Sequence, residues 1–530
     1  MRSQKHFWGA RASRSMTAAC LLALATVAAC DDDETPPGPP ADAARDTPVA
    51  DAGAPDGNRQ DTLPNLDAGD APRADAADGG AVDGGGSDGG GDAGDGGSDT
   101  SAPPPADNDM AVVRFNANGT IDTTFGTNGI ARVDLGVGAG TTRDSLYSVT
   151  RDATNRIVLF GSKKADGRSD SDRVVVRLTP AGANDTTFGT MGSNVLNINN
   201  LGDNARTGIV QADGKIVSSG YTNQPTGAGT QTANKIVLLR LLDNGMPDTT
   251  FGMDGVVNAL PFAPNPTTGL FGMVEAYAVG RQSTGAYVTT GYGRVAAMGT
   301  VDMVSFRFGP NGAVDNTWGT SGAAVLDLVG ENDRGRNLVV LPDDRVFITG
   351  SGSPAANSID AMAMFLTPMG ARDTTFNTTG YKLYDFERAD EAFFGAAVAP
   401  TGNWVAAAGY RTGGNQDDDA TLLLLPLAGA AGGVEFAKAV PLSETENDRF
   451  WDVAFDASGK VLAAGFVRAG GDNWMAVARF NTDGTLDATF GTAGVAKVNV
   501  SVAGTDETAR GLVVQSDGKI VIAGNVEAVK

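Results

Sequence analysis

The feature that most constrains this chain is a repeat that fills everything after Asp107. One marker is a polar turn followed by an apolar run and a glycine. It reads "ATNRIVLFG" to Gly161, "ADGKIVSSG" to Gly220, "STGAYVTTG" to Gly291 and "PDDRVFITG" to Gly350, and continues to Gly409, Gly465 and Gly524. A second marker is an apolar run closed by a glycine turn, as in "AVVRFNANG", "VVVRLTPAG" and "MAVARFNTDG", and it too occurs seven times. The glycines of the first marker are mostly about 59 residues apart. Units of this size cannot bury an apolar face alone and must stack on their neighbours.

Each unit contains four short apolar or β-branched runs separated by Gly, Asn, Asp and Pro turns, with no helical period. In the unit that begins at Ile130, "IARVDLG", "SLYSVTRD", "RIVLFGS" and "RVVVRLT" read as its first to fourth strands. Four antiparallel strands in about 60 residues describe a propeller blade. A linear solenoid would instead need capping units, and none is visible. The last unit stops at Lys530 after its third strand, while Met110–Phe115 reads as an unattached fourth strand. Pairing the two completes a blade and removes an exposed sheet edge. The expected fold is all-β: a seven-bladed β-propeller over residues 108–530, with strand-swapped closure between its N- and C-terminal segments. The unit from about Gly380 diverges most, so its blade could be irregular.

A third repeated element follows the glycine turn. "DTTFG" stands at Asp122–Gly126, Asp185–Gly189 and Asp248–Gly252, with "DNTWG", "DTTFN" and "DATFG" at Asp315, Asp373 and Asp487, and "GVEFA" at Gly433–Ala437 in the divergent unit. Repetition makes it blade-linking hardware: Asp122 caps the turn, Phe125 fills the groove between blades and Gly126 admits the close bend. The whole pattern, "NxDGxxDxxFGxxG" followed by "vQxDGKIvxaG", resembles the delta-60 repeat family of exported bacterial proteins. It is clearest in "RFNTDGTLDATFGTAGVAKV" and "VVQSDGKIVIAG", and the resemblance covers about residues 108–530. It implies a propeller and export, and no activity or site residue.

The N-terminus points to export independently. Arg2, Lys5, Arg11 and Arg14 precede an apolar run from Met16 to Ala29, too short for a comfortable membrane span. The run ends "VAAC", which looks like a bacterial lipobox, so residues 1–29 read as a lipoprotein signal peptide and Cys30 as the lipidated residue. Acylation there, palmitate included, would make the membrane a partner through the lipid anchor, at roughly 0.8 kcal/mol per buried methylene. Residues 30–107 are Asp, Gly, Ala and Pro with almost no large apolar side chains, and read as a disordered tether. They hold much of the excess acid behind the chain's net charge of −23. As a flexible coil of roughly 76 residues the tether would span about 50 Å. The expected destination is the outer membrane or cell surface of a bacterial envelope, although Asp31 is an inner-membrane residue under the enteric sorting rule.

Loss of the signal also removes chemistry. Cys20 and His6, the chain's one histidine, leave with it. With Cys30 acylated, no imidazole or thiol remains for nucleophilic triads, zinc or haem. An acidic domain without a basic stripe also excludes nucleic acid. Two carboxylate patterns remain. Asn481, Asp483 and Asp487 have a calcium-loop-like spacing, but the Asp483 position is Asn118, Ala181, Asn244, Asn311 or Met369 elsewhere, so the reading there is turn geometry set by glycine. Counting back 17 residues from the marker glycine gives Asp144, Asp203, Asp333, Asp448 and Glu507, with Asp390, Glu391 and Glu275 slightly displaced. This acidic ring either binds cations such as calcium at a channel mouth or caps backbone N–H groups, and its repetition in most units favours capping.

Asymmetry is where function is expected: Tyr221–Asn234, Asn258–Gly272 and Arg411–Asp419, with Trp404, Trp451 and Trp474. The reading is a monomeric propeller displayed as a binding or scaffolding module for a protein or glycan, with no catalytic or cofactor-binding residue assigned. The competing reading is a carboxylate-dependent hydrolase or lyase acting on polysaccharide.

Overall fold

The computed structural model describes residues 107–528 apart from 137–142, 166, 226–231, 260–271, 295–299, 329–330, 356–357, 387–389, 413–417, 429, 431–432, 444–445 and 502–506. Cys30, the signal peptide, all of the tether but Asp107 and most of Asn258–Gly272 lie outside the described residues.

Among the described residues, twenty-eight strands form seven four-stranded antiparallel sheets. Six sheets are continuous in sequence: blades 1 to 6 are residues 144–196, 203–259, 273–326, 334–384, 391–439 and 448–498. Blade 7 is composite, joining residues 107–133 to 507–528. The first strands of the blades touch one another in a closed cycle. They are Asp144–Arg151, Asp203–Val210, Met273–Arg281, Arg334–Val340, Glu391–Val398, Asp448–Phe455 and Glu507–Val514, and they line the central channel.

Burial follows from this stacking. Middle strands are sandwiched between neighbouring blades, so Ile157–Lys164 and Ser171–Leu178 are buried on both sides and read as continuous apolar runs. The outermost strands have four residues, and Ile130–Val133 alternates between buried and exposed positions. An apolar cluster fills each of the seven blade interfaces, as where Met110 and Val112 of blade 7 meet Leu146 and Leu159 of blade 1.

One expectation needs correction. "IARV" does not open the sheet that contains "SLYSVTR"; Ile130–Val133 pairs with Asp107–Phe115 and is the outer strand of the previous blade. Closure is therefore two strands from each chain end rather than three and one. Asp107–Phe115 pairs with Ile520–Ala528 along its full length, from Asp107 opposite Ala528 to Phe115 opposite Ile520. Blade 5, containing the divergent segment, is regular: its four strands pair in the common order, and Phe436, the first residue of its outer strand, meets Gly484 of the next blade as Phe125 meets Gly182.

The Asp-x-x-Phe-Gly motif links blades as its residue types require. Asp122 Oδ1 accepts from Thr124 N and Oγ1, and its Oδ2 lies 2.8 Å from Arg114 Nε. The same arginine–aspartate pair recurs as Arg177–Asp185, Arg240–Asp248, Arg307–Asp315 and Arg479–Asp487. Gly126 N donates to Ala181 O in the next blade, and Gly189, Gly252, Gly319 and Gly491 repeat this bond at 2.8 Å. Phe125 is fully buried against Gly182, whose φ of +88° fits glycine. All this lies at one end of the channel axis. The acids that begin the inner strands lie at the other.

Candidate functional site: the central channel

Every inner strand carries a β-bulge at the same place. Its register against the second strand shifts around Tyr147, Arg206, Tyr277, Arg336, Phe394, Trp451 and Arg510. The marker glycines make the bulge sterically admissible. A Cβ on Gly161 would collide with Ser145 O, and Gly220, Gly291, Gly350, Gly409, Gly465 and Gly524 each meet the equivalent carbonyl. The extra residue has no cross-strand partner, and a bulge re-aims its side chain. All seven bulge residues line one cavity of roughly 200 Å³ in the channel, together with Ser148, Thr207, Tyr292, Asn337, Tyr410 and Asp452.

The seven form a continuous cation–aromatic chain. The Arg206 guanidinium lies 4.2 Å from the Tyr147 ring centre and 4.6 Å from that of Tyr277. Arg336 lies 5.2 Å from Tyr277 and 5.0 Å from Phe394. Phe394 meets Trp451 edge to face at 4.5 Å, and Arg510 lies over Trp451 at 3.8 Å. Tyr292 and Tyr410 back the ring: Tyr292 is 5.3 Å from Tyr277, and Tyr410 carries the Arg449 guanidinium at 4.1 Å. Such contacts strengthen where water is partly excluded.

Two carboxylates belong to this environment. Asp452 accepts from Leu512 N and Val453 N, yet burial outweighs these bonds and pushes its carboxyl up to about 7. Burial also raises Glu275, against the opposing fields of Arg206 and Arg336, while Asn234 Nδ2 donates to it at 2.6 Å. The channel therefore has a local excess of positive charge inside a chain of net charge −23.

The sequence-predicted acidic ring lies three residues before the bulge, at the starts of the inner strands, and its members bind backbone. Asp144 Oδ2 accepts from Leu135 N, Asp203 from Ile198 N, Asp333 from Leu328 N and Ser353 N, Asp448 from Ala420 N, Leu442 N and Ser443 N, and Glu507 from Val500 N. Each anchors the segment arriving from the previous blade. Burial raises Asp144, Asp203 and Asp448 to about 7 and Asp333 to about 6, and moves Glu507 upward. Two corners collect three carboxylates with oxygens within 4.8 Å: Asp109, Asp134 and Asp144, and Asp302, Asp327 and Asp333. These are the residues whose chemistry suits a hard cation.

The calcium-like turn is internally bonded, with Asp483 Oδ1 accepting from Thr485 and Asp487 engaged by Thr489 and Arg479. Of the three singled-out tryptophans, only Trp451 reaches the channel. Trp404 packs beside the apolar cluster of blades 5 and 6, and Trp474 lies 5.3 Å from Lys497 Nζ. Arginine in the channel was missed in the sequence. The available signal was a fixed offset: in most blades the bulge residue follows the ring acid by three positions.

Fold and channel together define a seven-bladed β-propeller with a polar, arginine-rich axial cavity. The family model described as "Domain of unknown function (DUF5122) beta-propeller" matches residues 106–125, 211–251 and 457–490, which supports a β-propeller repeat family. No curated protein matches the chain. Similar solved structures include a glucose dehydrogenase (13% identity over 61% of this chain and 96% of that one, TM-score 0.33). Others are the β-propeller domain of the Trilobed protease from Pyrococcus furiosus (9%, 69% and 88%, 0.36) and the NanB sialidase from Streptococcus pneumoniae (8%, 79% and 94%, 0.38). Likenesses this distant carry no argument about activity.

Proposed function

We propose that this protein is an envelope lipoprotein, anchored through Cys30 and carried on the acidic tether of residues 30–107, whose propeller binds a small ligand in its central channel. The observation that carries the binding reading is the convergence of seven bulge side chains on one cavity. Blade cohesion does not require it, because the apolar clusters and the Asp-x-x-Phe-Gly links lie between blades. The side chains left free to vary are the ones turned to the axis. Their chemistry favours recognition over hydrolysis of a polysaccharide, since guanidinium and aromatic groups outnumber carboxylates around the cavity.

The anchor is tested by fractionation and surface proteolysis of cells expressing the wild type and Cys30→Ser. Release of the variant from membranes is expected, and unchanged membrane retention refutes the anchor. Binding is tested by thermal-shift screening of a small-molecule library on the purified protein, with Trp451→Ala as the site control. Hits that lose their effect in the variant are expected. A screen whose hits stabilise both proteins equally refutes the channel as the site.

A further inference from the structure

We propose that the channel ligand is a small aromatic carboxylic acid, its carboxylate held by the guanidinium groups of Arg206, Arg336 and Arg510 and its ring laid among the aromatic side chains between them. This rests on the reading of the channel as a binding site.

Charge gives the sign of the ligand. Three guanidiniums line the cavity beside one lining carboxylate, Asp452, while Glu275 lies behind the lining in the field of Arg206 and Arg336. Burial raises Asp452 to about 7, which lowers the negative charge it presents near neutrality, and it moves Glu275 upward as well. The balance attracts an anion, although the chain as a whole is strongly acidic.

An unmet hydrogen bond points the same way. Arg510 lines the cavity with its guanidinium 3.8 Å from the Trp451 ring centre, and its buried Nε has no hydrogen-bond partner. A buried donor without an acceptor is costly, and a ligand carboxylate oxygen would satisfy it. Guanidinium presents a planar donor fork that matches a carboxylate.

Shape narrows the class. A cavity of roughly 200 Å³ lies below the usual range for drug-sized ligands and suits a single ring with its substituents. Each arginine has an aromatic neighbour, so a flat π-face meets complementary surface at every step around the ring. A bare tetrahedral oxyanion would use the arginines and leave those faces uncovered.

The test is calorimetric titration of the purified protein with benzoate, 4-hydroxybenzoate and phthalate, each beside its neutral amide, and with inorganic phosphate. Each acid should bind more tightly than its amide by about ten-fold or more, and Arg510→Gln should weaken the acids by about ten-fold while hardly changing the amides. Arg510→Lys, which keeps the charge, should retain part of the acid preference. Circular dichroism and melting of each variant confirm that it is folded. Equal binding of acids and amides overturns the anionic class while leaving the channel a binding site. Phosphate binding more tightly than every acid overturns the aromatic requirement. If none of the compounds binds, the aromatic-acid proposal falls, and the thermal-shift screen decides separately whether the channel binds anything.

Discussion

Removing the Phe125 ring and adding a methyl at Gly182 perturb the same blade joint from opposite sides. Phe125 is fully buried, stacks 4.6 Å under the Arg114 guanidinium and packs on Gly182 of the next blade. Phe125→Ala should therefore cost about 3–5 kcal/mol, as for other buried aromatics. In Gly182→Ala the new Cβ would lie 2.8 Å from Phe125 Cε2 and Cζ, on a backbone with φ of +88°. The backbone alone costs about 1–2 kcal/mol, and displacing a packed ring adds about 1–3 kcal/mol. In the double variant the ring is gone, so only the backbone cost of Gly182→Ala remains. The double variant should thus be more stable than the sum of the single changes by about 1–3 kcal/mol. Urea unfolding of the four proteins, followed by tryptophan fluorescence with slopes compared for cooperativity, measures this. Strict additivity would show that the ring and the glycine do not share a joint, and the blade-linking account would fail.

Three further outcomes are expected. The melting temperature should rise as pH falls from about 8 to about 5, because Asp144, Asp203, Asp448 and Asp333 have folded-state values raised to about 7, 7, 7 and 6. Their stabilisation is complete below the ordinary carboxylate range and is lost as pH rises through those values. Below about pH 4 the trend should reverse, because hydrogen bonds and ion pairs hold Asp122, Asp248 and Asp487 low against the opposing effect of burial, so the unfolded chain takes up protons first; a melting temperature that falls steadily from pH 8 to 5 contradicts this. Asp144→Ala should cost about 1–3 kcal/mol by orphaning Leu135 N, whereas Asp144→Asn keeps an acceptor and should be close to neutral at pH 8; equal losses in the two variants count against the capping role. Deleting residues 519–530 removes the strand that joins Glu507–Val514 to Asp107–Phe115, and the truncated protein should lose cooperative unfolding; a melting temperature unchanged within a few degrees would mean that closure does not hold the ring.

The architecture was readable because its signals are repeated. Seven marker glycines, seven glycine turns and recurring aspartate–aromatic motifs tie unit length to blade size, and the chain ends supply complementary strands. The phase of the blades was not readable. A four-residue strand such as Ile130–Val133 has segments of similar length on both sides, and its alternation says which face is buried without saying which sheet it joins. The acidic ring was visible as residues, but its role depended on donors supplied by the neighbouring blade, such as the Ala420 N–H that Asp448 accepts. The channel was hidden for a different reason. Within "SLYSVT" or "EAFFGA" the bulge residue looks like one more member of a strand, and a single inserted position leaves the apolar pattern almost intact.

The marker glycine and the variable channel are two sides of one device. Gly161 is fixed because any side chain would strike Ser145 O, the carbonyl turned inward by the bulge. Tyr147, passed over in the cross-strand register by that bulge, lines the cavity beside Arg206. The same construction in the other six blades holds Arg, Tyr, Arg, Phe, Trp and Arg without changing sheet order or register. The glycine is uniform because it serves the fold, and the bulge residue differs because the fold places no demand on it. Differences among copies of one repeat in a single chain therefore separate scaffold from site. Here they are the reason for proposing the site on the axis.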